Sequence, residues 1–151
     1  MLHRRAIFGA VSALYAVFIG AVTLTPDPFG TGVEGTIDRV IDAFSQHPLT
    51  AWMTYDVVEF TANIGMFVPL GLFVAVWAGP RRWWVGIVVG AAYTIVIESF
   101  QGILLAATRY ATLSDVIANT LGAIIGAVLA RLIHAFVVAR AARSSEAGSV
   151  R

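Results

Sequence analysis

Four runs of about twenty apolar residues, separated by polar or aromatic breaks, leave this chain few ways to fold. They lie at about 6–24, 57–78, 83–105 and 113–138. The hydrocarbon core of a bilayer is about 30 Å thick, and a helix rising about 1.5 Å per residue crosses it in about 20 residues. Backbone N–H and C=O groups meet no water there, so each run must satisfy its own, as a helix does. Composition agrees: the 151 residues are 58% hydrophobic and 13% charged, with a mean hydropathy of +0.81. A soluble domain carries about 25% charged residues, so an integral membrane protein is the natural class. The expected architecture is all-α, a four-transmembrane-helix bundle forming one membrane domain over 1–140. The small, polar stretch 141–151 reads as a disordered cytoplasmic tail.

The first run follows His3, Arg4 and Arg5, as a secretory signal would. It exceeds the usual h-region of about 7–15 residues and shows no clear small-x-small cleavage site, so it reads as an uncleaved span. Arginine placement sets the orientation. Arg4, Arg5, Arg81, Arg82, Arg131, Arg140, Arg143 and Arg151 fall on one side if four helices cross, and only Arg39 and Arg109 fall on the other. The positive-inside rule then puts both termini in the cytoplasm. The loop over 25–56 is long for a connection without structure. Ile37, Val40, Ile41 and Phe44 recur in it at helical spacing, which predicts a short amphipathic helix on the outer membrane surface or over the bundle mouth. Trp52 and Tyr55 are placed at the outer interface, and Trp77, Trp83 and Trp84 at the inner one.

Polar residues inside the runs are the candidate site. Ionisable groups at membrane depth are costly and by default mark function or tight pairing. Asn63 lies about 9 Å below the outer end of its span, with Glu59 one turn above it. Glu98 lies about 10 Å below the exit of the third span, with Gln101 one turn above. Asp115 is close to the outer surface in the fourth span, and Asn119 is about 9 Å down. Three helices thus place acids and amides at matching depth. Arg109, in the turn between the third and fourth spans, can act as an anion hook or as the counter-ion of Glu98 and Asp115. For Asn63, Gln101 and Asn119 the commoner role is interhelical hydrogen bonding, at about 0.6 kcal/mol each. Gly122 and Gly126 form a small-xxx-small pair on the face of Asp115 and Asn119. Pro69 should kink its helix near mid-membrane.

Several chemistries are excluded. Without cysteine there are no disulfides, thiolate metal sites or cysteine nucleophile, and without lysine no Schiff base. His3, His47 and His134 are scattered, so no zinc site is supported and no histidine stands beside Ser99 or Ser114 for a triad. No cofactor is indicated. A net charge of +1 without a basic, aromatic-interleaved face gives no reason to expect nucleic acid. Burial of Glu98 would suit it to general acid or base work, which makes it the candidate catalytic residue.

These residues also bring a known family into view. The run Asn63-Ile-Gly-Met-Phe-Val-Pro-Leu-Gly71 resembles the N-x-x-x-F-x-P-L-G segment of the VanZ-like family. Glu98-Ser-Phe-Gln101, Arg109, and Ser114-Asp115-Val-Ile-Ala-Asn119-Thr-Leu-Gly122 are similar to its E-x-x-Q…R…D-D-x-x-x-N-x-x-G signature. Leu24-Thr25-Pro26 after the first span is similar too. Thr112 and Ser114 stand where members often carry acids, so the resemblance does not extend to metal binding there. It implies a small multi-pass protein of the bacterial cytoplasmic membrane. The family is named for a member linked to reduced susceptibility to teicoplanin, a glycopeptide that targets the D-alanyl-D-alanine end of cell-wall precursors.

Three functions follow as expectations. The leading one is a cell-envelope protein whose outward-facing polar pocket, lined by Glu59, Asn63, Glu98, Gln101, Arg109, Asp115 and Asn119, binds a lipid-linked or other anionic amphiphile, with a bearing on teicoplanin susceptibility. The second is an intramembrane enzyme using Glu98 on an envelope lipid. The third is a structural or partner-binding module, in which the polar cluster only joins helices. The bilayer is a partner in all three, and oligomeric state is left open.

Overall fold

A computed structural model describes residues 2–25, 39, 41–104 and 112–149. Four long helices make up almost all of it: α1 (Leu2–Leu24), α2 (Tyr55–Ala78), α3 (Val85–Leu104) and α4 (Leu113–Ser149). There is no strand among the described residues. Each helix is long and apolar enough to cross a membrane, as the four runs require.

Local chemistry fixes where the helices begin and end. Thr54 caps α2, its side chain accepting the N–H of Val57, and Asp56 adds a favourable negative charge to the first turn. At the far end Gly79 adopts φ +90°, a conformation that side chains other than hydrogen resist, and the chain leaves α2 there. Arg82 N–H donates to the Gly79 carbonyl at 2.9 Å and Val85 N–H to the Arg82 carbonyl at 2.9 Å, closing a tight turn into α3. Trp83 and Trp84 belong to this turn rather than to the helix, so α3 starts two residues later than expected. α2 runs unbroken through Pro69, which has no N–H to give to the carbonyl of Gly65.

The helices run up, down, up and down. α1 and α3 are parallel neighbours: Tyr93 donates its hydroxyl to the Ala16 carbonyl (2.6 Å), and Gln101 Nε2 donates to the Thr23 carbonyl (2.8 Å). α2 and α4 are also parallel, with Gly122 against the Ile64 carbonyl and Gly126 against that of Val68. A Cβ at either glycine would overlap those carbonyls, so the close approach depends on hydrogen at both positions. α3 and α4 are antiparallel, pairing Gly90 with Ala123 and Thr94 with Asn119. Both described ends of the chain therefore lie at one end of the bundle, beside the turn at 79–84.

Packing follows the environment. Lipid tails are as apolar as leucine, so helices gain by close contact rather than by hiding oil. The core is accordingly small: Ile19, Phe67, Leu70, Val74 and Ile97 form one buried cluster, and Ala75, Ala127 and Ala130 a second. Leu14, Val17, Ile103, Leu132 and Phe136 face outward, as lipid-facing residues should. Trp52, Tyr55, Trp77 and Trp84 are exposed near the helix ends, where amphipathic rings suit the membrane interface.

α4 continues through residues 141–149 without a break. Ala141, Ala142 and Arg143 are strong helix formers, and no proline or glycine interrupts them before Gly148. The amphipathic segment of the 25–56 loop falls partly outside the described residues, Ile37 and Val40 included. Residues 41–45 are helical, with Ile41 half-buried and Phe44 exposed.

Candidate functional site

The register places polar side chains at the end of the bundle away from the termini. Thr112 is the hinge of this end. Its hydroxyl accepts the N–H of Asp115 at 3.1 Å, capping the first turn of α4, and donates to Asp115 Oδ2 at 2.6 Å. The second oxygen of Asp115, Oδ1, accepts from Asn63 Nδ2 of α2 at 2.7 Å. The backbone N–H of Thr112 donates to Glu98 Oε2 of α3 at 3.2 Å. Glu98 therefore takes the place that a glutamate within the helix fills in a capping box, but does so from a neighbouring helix. Three elements converge on one helix start: Asn63 from α2, Glu98 from α3, Thr112 and Asp115 from α4.

One turn deeper, Asn119 Nδ2 donates to Thr94 Oγ1 of α3 at 2.9 Å. Asn119 is 2% exposed and Thr94 is fully buried. The other end of that amide, Asn119 Oδ1, is buried without a hydrogen-bond partner among the described residues. Most buried polar atoms in folded proteins are paired, so this acceptor calls for an explanation.

Gln101 goes elsewhere. It reaches across to α1 and donates to the carbonyl of Thr23, one of the last carbonyls of that helix. Three residues along a helix turn through 300°, so Gln101 and Glu98 sit about 60° apart and serve different neighbours. Glu59, one turn above Asn63, is exposed. Arg109 lies outside the described residues. Asn63, Glu98 and Asp115 are thus brought together, Asn119 sits beneath them, and Gln101 is buried at the joint with α1.

Thr112, Thr94 and Thr23 do not stand among the sequence candidates, yet each partners one of them. The signal for Thr112 was present as Thr-x-x-Asp before an apolar run. That for Thr94 was its position one turn below Glu98. For Thr23 no signal in the sequence points to its carbonyl.

Electrostatically this end is acidic. Glu98 and Asp115 both address the N-terminus of α4, whose dipole is worth about half a positive charge. Among the described residues no group of three or more His, Asp or Glu stands ready to hold a metal ion.

Four apolar helices with a layered polar end define a multi-pass integral membrane protein. Residues 12–134 match the family described as VanZ/LLP1, and the chain belongs to that family. The matched region runs from within α1 to the point where α4 becomes exposed on all sides. No curated protein and no solved structure matches the chain.

Proposed function

We propose that this chain is a cell-envelope protein of the bacterial cytoplasmic membrane, with both termini in the cytoplasm and a single membrane domain over 1–140. Its acid–amide end binds the head group of an amphiphile. The observation that carries this is Asn119 Oδ1, a buried acceptor without a donor among the described residues, beneath two carboxylates. Burying such an atom unpaired costs about 1–3 kcal/mol, and a head-group hydroxyl or amine supplies what is missing.

Charge supports the same role. Arg109 precedes Thr112 by three residues, so chain length alone keeps their Cα atoms within about 11 Å. In the proposed site Glu98 and Asp115 hold the Arg109 guanidinium, and its remaining N–H groups grip a phosphate or carboxylate. Glu59 and Asn63 complete the surroundings, with Gln101 behind them at the joint with α1. A lipid-linked wall precursor or a phospholipid offers both the anion and the hydroxyls. A precursor ligand would connect the chain to glycopeptide susceptibility, teicoplanin included.

The test is lipid recovery by mass spectrometry from the purified chain. Wild type should enrich a lipid class over the host membrane, and Arg109→Ala should lose that enrichment. Identical lipid profiles for the two proteins would count against the proposal.

Three interhelical hydrogen bonds favour a second reading, in which the cluster serves only to join helices: Asn63 to Asp115, Gln101 to Thr23 and Asn119 to Thr94. On that reading Glu98→Gln and Arg109→Ala lower stability or abundance and leave lipid recovery and drug susceptibility unchanged.

A further inference from the structure

The opposite end of the bundle carries a cavity that the acid–amide cluster does not use. It has a volume of about 420 Å³ and is lined by Arg5 of α1 and by Ala78, Gly79, Pro80, Arg81 and Arg82 at the α2–α3 turn. That size lies within the range of small-ligand sites, about 300–1,000 Å³. Arg5, Arg81 and Arg82 are among its lining residues, and no acid lines it among the described residues. Asp42, Asp56, Glu59, Glu98 and Asp115 belong to the other end.

The walls are held in place by the fold. Gly79 at φ +90° and the hydrogen bonds from Arg82 and Val85 N–H fix the turn. Arg5 Nη2 lies against Gly79, 3.9 Å from where a Cβ would stand, so α1 brings its cation onto the turn. Trp77 and Trp84, exposed on either side of the turn, sit where rings mark a membrane interface.

Arginines at this end also set membrane orientation. That role needs only their number on one side. It does not need three of them, from two separate elements, around one cavity on a fixed turn. Like charges so arranged repel one another unless an anion sits between them, and guanidinium forks match phosphate oxygens.

We propose that this cavity binds a phosphate-bearing anion, and that in the membrane its occupant is the head group of an acidic phospholipid. The site is separate from the acid–amide end and does not depend on the function proposed for it.

The experiment is native mass spectrometry of the full-length chain purified in detergent, titrated with phosphatidylglycerol or with phosphatidylcholine. Detergent removes any effect of the variants on membrane orientation. Wild type should retain one phosphatidylglycerol per chain about tenfold more tightly than phosphatidylcholine, equivalent to about 1.4 kcal/mol. The double variant Arg81→Lys/Arg82→Lys keeps the charge but loses the fork, and should bind at least about fivefold more weakly. Arg5→Lys, on a different helix, should show the same direction if the double variant does not fold. Arg140→Lys, remote from the cavity, should bind as wild type. Displacement of the lipid by millimolar inorganic phosphate would support the anion site and assign it to soluble phosphate. Equal retention of the two lipids by wild type would overturn the proposal, as would undiminished phosphatidylglycerol binding by both the double variant and Arg5→Lys.

Discussion

Thr112 joins three helices through one residue. Its hydroxyl serves Asp115 in both directions, as acceptor from the backbone and donor to the carboxylate, while its own N–H is taken by Glu98. Valine has nearly the same shape and none of this side-chain chemistry, so Thr112→Val should lose the cap and leave Asp115 Oδ2 without its donor. Loss of a threonine cap costs about 0.5–2 kcal/mol. Thermal melting in detergent should show a lowered midpoint for Thr112→Val and recovery in Thr112→Ser. An unchanged midpoint in the valine variant would mean that the cap is dispensable. Asn119 illustrates a different principle at the same scale. Asp115 and Asn119 are one turn apart on α4, only about 40° around the axis, yet the first meets α2 and the second α3. A helix lodged between two others presents one face to both.

Among elements, α4 is the organising one. Its small residues at Gly122 and Gly126 let it lie against the backbone of α2, and Ala123 packs against Gly71 and Gly90 of α2 and α3. Gly126→Leu places a side chain on the Val68 carbonyl and the Leu72 backbone, neither of which can yield as a flexible side chain would. Overpacking of this kind costs about 1–3 kcal/mol or more. Val128→Leu, on the lipid-facing side, should change stability by less than about 0.5 kcal/mol. Equal melting midpoints for the two variants would refute the packing assigned to this seam. Beyond Ala130 the same helix is exposed on every side as far as Ser145. At about 1.5 Å per residue the 37 residues of α4 extend about 55 Å, far more than a bilayer core. Removing 141–151 should therefore change the melting midpoint of the bundle by no more than a surface substitution does, about 0.5 kcal/mol in stability. A large loss would show that this extension contacts the bundle.

For the whole molecule, the alternating helix directions put both described ends of the chain at one end of the bundle, and the proposal that this end is cytoplasmic rests on the arginine distribution. The chain has no cysteine, so single introduced cysteines report accessibility cleanly. Ser45→Cys should react with a membrane-impermeant maleimide on intact cells, and Ser144→Cys only after permeabilisation. The opposite pattern would invert the orientation and turn the acid–amide end toward the cytoplasm. By itself the sequence determined the class of molecule, the number of helices long and apolar enough to cross a membrane, and the place of each polar residue along its helix. Length, hydropathy and a fixed rise per residue decide these one helix at a time, and they place Asn63, Glu98 and Asn119 at similar distances from the ends of their helices. Only the tertiary structure decided which side chains meet. That depends on how each helix is rotated and which neighbours it has, and an apolar stripe that is lipid-facing looks much like one that is buried. So Gln101, one turn from Glu98, makes its interhelical hydrogen bond to α1. The carbonyl of Thr23, which every residue type possesses, left no mark in the sequence, and the convergence of Arg5 with the turn at 79–82 required folding to bring together residues more than seventy positions apart.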